Sequence, residues 1–251
     1  MLNNKKIIIC DIDGCLSPED PVPMDAHGLL QVAEYNLGVK ERGEGPLLTL
    51  CSGRPLAFVE ALCRYLQNDL IPCLGENGVW LYDPAENQYV MDPAITDEHL
   101  EIVVEAACWA KRVYGSKGVS QQPGKNASVT LHHQNVAFLK GICDEVQEAF
   151  DSRSWPFRVT MTWSYINCDL IHISKSTGIQ RLFDRTGLQP DDAIGIGDTM
   201  SDQAIAEQVS YFACPQNAAE TLKELSHFVA PSSETQGVLD ILEHIQRDSS
   251  L

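Results

Sequence analysis

The sequence predicts an α/β fold: a core built on a parallel sheet, with a smaller α+β layer inserted into it. Three observations carry that expectation. Short apolar runs (Ile7–Cys10, Pro46–Cys51, Asp192–Ile196) each stop at Asp, Ser or Gly. They are what strands buried on both faces of a parallel sheet look like, and helical spacing follows them. Between about Asp83 and Ile173 the order becomes helix, two strands, helix, two strands. Beyond Ile173 the strand–helix alternation resumes, so the middle stretch reads as an insertion with its own core.

The first strand, Ile7–Cys10, ends in Asp11-Ile12-Asp13-Gly14, and the glycine allows a sharp turn. At period two the carboxylates of Asp11 and Asp13 would face the same side. A Pro-rich loop, Ser17–Pro23, leads to helical spacing over Leu29–Lys40. The second strand, Pro46–Cys51, ends in Ser52-Gly53-Arg54-Pro55, and Leu56, Val59, Leu62, Cys63 and Leu66 then recur at helical intervals. Leu70–Leu74 runs into Gly75-Glu76-Asn77-Gly78 and a strand-like VWLYD, read as a continuation of the parallel pattern.

In the insertion, Asp97–Tyr114 is an amphipathic helix opened by Thr96, with Glu98 and Glu101 in its first turn. Strands are expected near Lys117–Ser120 and Ala127–His132, and a helix from about Asn135 to Phe150. Phe157–Trp163 and Tyr165–Ile173 read as a hairpin. Trp109, Trp155 and Trp163 are expected in its core. The first architecture then returns, with a helix at Thr177–Gly187 stopped by glycine and the strand Asp192–Ile196 ending in Gly197-Asp198. A helix starts near Asp202. Tyr211–Cys214, Ala218–Ser226, His227–Ala230 and Gly237–Gln246 close the chain, leaving Asp248–Leu251 as a loose end.

The 251 residues are 44% hydrophobic and 21% charged, which suits a globular protein. A net charge of −17 argues against nucleic acid, whose phosphate backbone needs clustered basic residues. It does not exclude a small phosphorylated substrate, for which one or two placed cations suffice. The nine cysteines are scattered without a Cys-x-x-Cys pair, so neither a disulfide framework nor a zinc site is expected. The chain begins directly with a strand and holds no apolar run of membrane-spanning length. A cytoplasmic protein, monomeric or dimeric and without a membrane partner, is expected.

Asp-x-Asp-Gly also begins calcium loops of the EF-hand type. Those want an oxygen ligand at the fifth position and Glu at the twelfth, where this chain has Cys15 and Val22. Aspartates that only cap backbone amides are a second bland reading. Against both stands the fact that Asp11 and Asp13, Ser52, Lys175, and Asp198 with Asp202 all fall at ends of expected strands. If these strands share one parallel sheet, the groups converge on the crevice where such sheets bind ligands. Converging acids call for a divalent cation, and oxygen-only ligands favour magnesium over zinc. A hydroxyl and a compact ammonium suit phosphate oxygens.

The segments DIDG, CSGRP, HISK and IGIGDTMSD, in this order and spacing, resemble the four motifs of the haloacid dehalogenase-like (HAD) phosphohydrolases. The chain is similar to the branch with its cap between the second and third motifs. That branch holds the Cof-like sugar phosphatases and the sucrose-phosphate, mannosyl-3-phosphoglycerate and trehalose-phosphate phosphatases. GENGVWLYD resembles the stretch that precedes this cap, and Asn217-Ala218 the branch's usual Asn-Ala. The resemblance implies a Rossmann-like HAD core over residues 1–83 and 174–251, and an α+β cap over residues 84–173 that sets substrate specificity.

It also implies roles. Asp11 is the nucleophile that becomes an aspartyl-phosphate, and Asp13 the general acid and base. Mg2+ is held by Asp11, the backbone carbonyl of Asp13 and Asp198, with Asp202 as ligand or outer anchor. Ser52, Gly53 and Lys175 bind the phosphoryl group. Arg54 faces a nearby carboxylate or phosphate, or makes a structural salt bridge; Asn77 bonds substrate or holds a turn. In the cap, GKNASVTLHH resembles the substrate-facing strand of the trehalose- and mannosylglycerate-phosphate enzymes, which makes Lys125, His132 and His133 candidates. Period-two alternation lets at most one of the two histidines face inwards. Three positions depart from the pattern: Cys15 for Thr, Ser176 for Gly, and Ser201 for Asn. None removes a reacting group.

The expected activity is magnesium-dependent hydrolysis of a small phosphorylated metabolite, a sugar phosphate or a phosphoglycerate-type compound. Transfer of the phosphoryl group to an acceptor, as in a phosphomutase, and a non-catalytic sugar-phosphate-binding regulator are the alternatives.

Overall fold

The computed structural model describes residues 2, 4–19, 21–162 and 164–249. The chain divides into two compact units, Met1–Val90 with Lys175–Leu251, and Met91–Ser174. No helix among the described residues is long and apolar enough to cross a membrane.

The first unit is centred on β1 (Ile7–Cys10), β2 (Leu47–Leu50), β10 (Ala193–Ile196), β11 (Tyr211–Cys214) and β12 (Phe228–Val229). They form one parallel sheet in the order β12-β11-β10-β1-β2. All four residues of β1 are fully buried, and alternate ones feed two cores. Ile8, Cys10, Leu48, Leu50, Ile194 and Ile196 pack beneath α1 (Ala26–Arg42), α2 (Leu56–Tyr65) and α8 (Glu234–Ser249). Ile7, Ile9, Ala193, Phe212 and Cys214 pack beneath α5 (Lys175–Thr186), α6 (Gln203–Ala206) and α7 (Glu220–Leu225). The continuous apolar run, without polar alternation, is the direct consequence of covering both faces. Helix α8 continues to Ser249, beyond the expected end at Gln246 and into the stretch expected to be loose.

Register decides where the site lies. Cys10 is level with Leu50 on one side and Ile196 on the other. The residues that follow each strand therefore emerge side by side at one edge of the sheet.

Two expectations about this unit need correction. The VWLYD strand does not join the parallel sheet. It is β4 (Trp80–Asp83), which lies between β3 (Cys73–Gly75) and the unforeseen β5 (Gln88–Met91), and it pairs antiparallel with β3. A single parallel bridge, Cys51 to Leu74, marks where β3 approaches β2. Residues 88–91 read QYVM and are mostly exposed, so they lack the apolar run or clean alternation that announces a strand. Nor does Lys175 follow a strand of the parallel sheet: it is the first residue of α5. The apolar run before it, β9, belongs to the other unit's sheet.

The second unit is a four-stranded sheet in the order β6-β7-β9-β8, made of β6 (Ser120–Gln121), β7 (Ser128–His132), β8 (Phe157–Met161) and β9 (Tyr165–Leu170). Helices α3 (Asp97–Tyr114) and α4 (Val136–Asp151) contact its strands. Thr96 caps α3 by accepting from the His99 amide, and Asn135 caps α4 by accepting from that of Phe138. Instead of a strand, 117–120 carries the end of a 3-10 turn, and pairing starts only at Ser120. Trp109 is buried edge-on against Tyr114 and Phe150, and Trp155 leans on Phe150. Trp163 lies outside the described residues.

Candidate active site

Asp11 directly follows β1, and its amide donates to Ile196 O at 3.0 Å. Asp198 follows β10 after one glycine. Carboxylate oxygens of Asp11, Asp198 and Asp202 lie within 4.8 Å of one another, and all three residues are buried. Lys175 Nζ sits 3.0 Å from Asp11 Oδ1 and 2.6 Å from Asp202 Oδ1. It enters from the first turn of α5, an element remote from the sheet edge in sequence.

Asp202 organises the loop behind Asp198. Its Oδ2 accepts from the amides of Asp198 and Thr199 at 3.0 and 2.9 Å, and from the Thr199 hydroxyl at 3.2 Å. This is the anchoring arrangement of a capping box. A Cβ on Gly197 would come within 2.3 Å of the Asp202 Cβ, so the strand end and the loop can close on each other only through glycine.

The DIDG turn is held just as tightly. Gly14 has φ +76°, and a Cβ there would fall 1.9 Å from Asp198 Oδ2. Glycine is needed both for the backbone angle and for the approach of the acid. Asn217, noticed in the sequence only as half of an Asn-Ala pair, ties this turn down. Its amide nitrogen donates to Gly14 O at 2.9 Å, and its oxygen accepts from the Glu234 amide at 2.8 Å. An asparagine after the β11 turn gives no local sign of such a bond.

The electrostatics follow from burial. Burial first, then repulsion from Asp202, pushes the Asp11 carboxyl up to about 7, against the pull of Lys175. Asp198 is pushed up to about 9 by burial, Asp202 and Asp11. Burial works to discharge Lys175, but Asp11 and Asp202 together outweigh it, and the ammonium is held well above its ordinary range. One lysine does not balance three clustered acids. The Asp11 carboxylate has Lys175 as its ion-pair partner, at 3.0 Å from Oδ1. An all-carboxylate donor set of three buried acids against a single lysine fits a hard divalent cation such as Mg2+.

Ser52 follows β2 and is 1% exposed. Its amide donates to Leu74 O, its hydroxyl accepts from the Arg54 amide at 3.2 Å, and its carbonyl accepts from the Asn77 amide at 3.0 Å. Glu76 and Asn77 both adopt left-handed φ, +49° and +55°, strain that a tight turn backing a ligand loop commonly stores. Asn77 lies against Gly53, where a Cβ would meet its Oδ1 at 3.1 Å.

Asp13 takes a different partner from the other acids. Its side chain is not among the three acids that cluster, although its charge still reaches Asp11 and raises that carboxyl. The Asp13 carboxylate is instead gripped by Arg54. Of the groups expected to converge, the first unit thus brings together Asp11, Asp198, Asp202 and Lys175, and pairs Asp13 with Arg54. Lys125 and His132 belong to the second unit. Lys125 lies in the turn before β7, and the His132 ring rests 5.1 Å from that of Tyr165. His133 follows the strand, its Nδ1 accepting from the Asn135 amide at 2.9 Å.

Cys15 is buried, 4.0 Å from Asp198 Oδ1, and burial drives its thiol well above the ordinary range. It packs there as a neutral group. Ser176 donates to Ala204 O at 3.2 Å, and Ser201 pairs with the Thr199 hydroxyl at 2.8 Å.

A parallel α/β core with acids at its carboxyl edge, interrupted by an α+β insertion, defines a HAD-type hydrolase fold. A model of the haloacid dehalogenase-like hydrolases matches residues 114–242, more than half of the chain, and the protein belongs to that family. Among curated relatives, a phosphoglycolate phosphatase of Methanopyrus kandleri is 23% identical over 243 residues, 95% of this chain and 96% of its own. Another from Methanospirillum hungatei is 23% identical, covering 94% of both chains. Among solved structures, a Thermoplasma acidophilum protein aligns with a TM-score of 0.73 at 21% identity, over 96% of this chain and 98% of its own. A haloacid dehalogenase-like hydrolase from Bacteroides thetaiotaomicron gives 0.72 at 15% identity, over 97% and 99%.

Proposed function

We propose that the protein is a magnesium-dependent phosphatase that hydrolyses a small phosphorylated metabolite through an aspartyl-phosphate on Asp11. The observation that carries this reading is the buried trio Asp11, Asp198 and Asp202 with Lys175 at the carboxyl edge of the parallel sheet. Magnesium, held by Asp11, Asp198 and the backbone carbonyl of Asp13, supplies positive charge that makes the phosphoryl group electrophilic. Asp202 serves mainly as the anchor of the Asp198 loop and of Lys175, because three donors already occupy its Oδ2.

Asp11 attacks phosphorus, the P–O bond to the leaving group breaks, and Asp13 gives that oxygen a proton. Water then attacks the same phosphorus, Asp13 takes its proton, and the bond from phosphorus to the Asp11 oxygen breaks, which frees the Asp11 carboxylate and inorganic phosphate. Ser52, the Gly53 backbone and Lys175 hold the phosphoryl oxygens in both steps. The unit at 84–173 is assigned the choice of leaving group, with Lys125 and His132 as its first candidates and Asn77 contributing from the core. The phosphoglycolate phosphatases among the relatives support a small anionic substrate of the phosphoglycolate or phosphoglycerate type, with sugar phosphates next.

A panel of phosphorylated metabolites, scored for inorganic phosphate without any acceptor, tests the reading. Steady release that EDTA stops, that magnesium restores and that Asp11→Asn abolishes is the expected result. Release that appears only with an acceptor sugar would make the protein a phosphotransferase. Unchanged turnover in Asp11→Asn would remove the nucleophile assignment.

A further inference from the structure

Arg54 is the cationic side chain at this site that the steps above leave without a task. Its Nε lies 2.8 Å from Asp13 Oδ2 and 3.0 Å from Oδ1, and Nη2 also reaches Oδ1. The guanidinium is backed by the Phe58 ring, 5.3 Å from its centroid, in the first turn of α2. Its own backbone is pinned at both ends: the Arg54 amide donates to the Ser52 hydroxyl, and its carbonyl accepts from the Glu76 amide. Among the described residues no other side chain hydrogen-bonds the Asp13 carboxylate.

Both partners are about a quarter exposed, with side-chain exposures of 23% and 28%. A pair so open to water adds little to stability. A bidentate guanidinium does, however, fix the plane and direction of a carboxylate, which a single point charge does not. We propose that Arg54 is a positioning residue: it holds the Asp13 carboxylate in the orientation from which it serves the leaving oxygen. The inference rests on the aspartyl-phosphate reading given above. It separates Arg54 from the groups that bind phosphate, because the arginine is committed to Asp13.

Loss of positioning weakens proton transfer, and proton transfer matters in proportion to the basicity of the leaving oxygen. A departing alkoxide needs the proton, whereas nitrophenolate leaves without it. The test compares wild type, Arg54→Ala and Arg54→Lys on the best alkyl phosphate from the panel and on p-nitrophenyl phosphate. Inhibition by inorganic phosphate and the melting temperature are measured for each. In Arg54→Ala, kcat/KM, which reports the step in which the leaving group departs, is expected to fall about 10- to 100-fold on the alkyl ester and less than about threefold on the aryl ester. The inhibition constant of phosphate should stay within about twofold. Arg54→Lys should restore little, since an ammonium cannot grip both oxygens. In the background of Asp13→Asn, adding Arg54→Ala should cost nothing more.

Equal losses of kcat/KM on the two esters would overturn the proposal, as would weakened phosphate inhibition with kcat preserved, which would make Arg54 a substrate ligand. Failure of the underlying reading looks different: Asp11→Asn would then retain activity on both esters.

Discussion

Asp202 uses both carboxylate oxygens inside the protein, one for Lys175 and one for the loop that carries Asp198. Lys175 in turn spans Asp202 and Asp11. Replacing this lysine by alanine leaves buried acids without their counter-charge and, on the proposed mechanism, removes a cation from the phosphoryl group. Removing one member of a buried ion pair is strongly destabilising, about 3–5 kcal/mol where the remaining charge cannot relax. Lys175→Ala is therefore expected to lower the melting temperature of the metal-free protein and to raise KM at least about tenfold. Steady-state kinetics and thermal unfolding check both. Retention of wild-type KM would show that Lys175 only neutralises Asp11.

Much at this scale is legible in the sequence, because the IGIGDTMSD spacing alone suggests that Asp202 lies near Asp198. The grip of Arg54 on Asp13 is not. Arg54 and Asp13 follow different strands, and only the register of β1 against β2 makes their loops neighbours. The bond from Asn217 to Gly14 is hidden for the same reason.

Among the elements, the turn after β1 does the most for the site. It must reverse direction, present Asp11 and let Asp198 approach, all around Gly14. An alanine there meets a left-handed φ that costs about 1–2 kcal/mol, besides a collision with Asp198 Oδ2. Gly14→Ala is expected to unfold at lower temperature and to lose magnesium affinity and turnover together. A variant with normal metal binding, measured by titration calorimetry, would contradict the close packing of this turn. β1 itself was readable because burial on both faces leaves an unbroken apolar run. β5 was not, since an exposed QYVM edge carries neither an apolar run nor a clean alternation. Lys175 was grouped with the ends of the parallel strands on condition that they share one sheet, but the strand before it, β9, belongs to the antiparallel sheet of the insertion.

The molecule as a whole carries 35 acidic residues against 18 Lys and Arg, and it concentrates three acids where water is scarce. Asp11 is pushed up to about 7 and Asp198 to about 9, mainly by burial, from an ordinary value of 3.8. Between the ordinary value and these raised ones the folded protein binds more protons than the unfolded chain. In the absence of divalent cations its stability should therefore fall as pH rises through that window. Bound magnesium needs the carboxylates deprotonated. Adding it should raise the melting temperature more at about pH 8.5 than at about pH 6. Scans with EDTA and with magnesium at both pH values test this. A metal-free protein that becomes more stable with rising pH, or an equal gain from magnesium at both, would count against a cation at these acids.

The sequence by itself determined the α/β class, nearly every strand and helix, and the identity of the acids. Each of these is written in neighbouring residues: an apolar run, a periodicity, a motif of fixed spacing. Only the tertiary structure decided which strands share a sheet, that Lys175 arrives from a helix, and that Asp13 turns from the acid cluster to Arg54. Those outcomes depend on register and on chain reversal between segments far apart, and local residue preference carries no information about either.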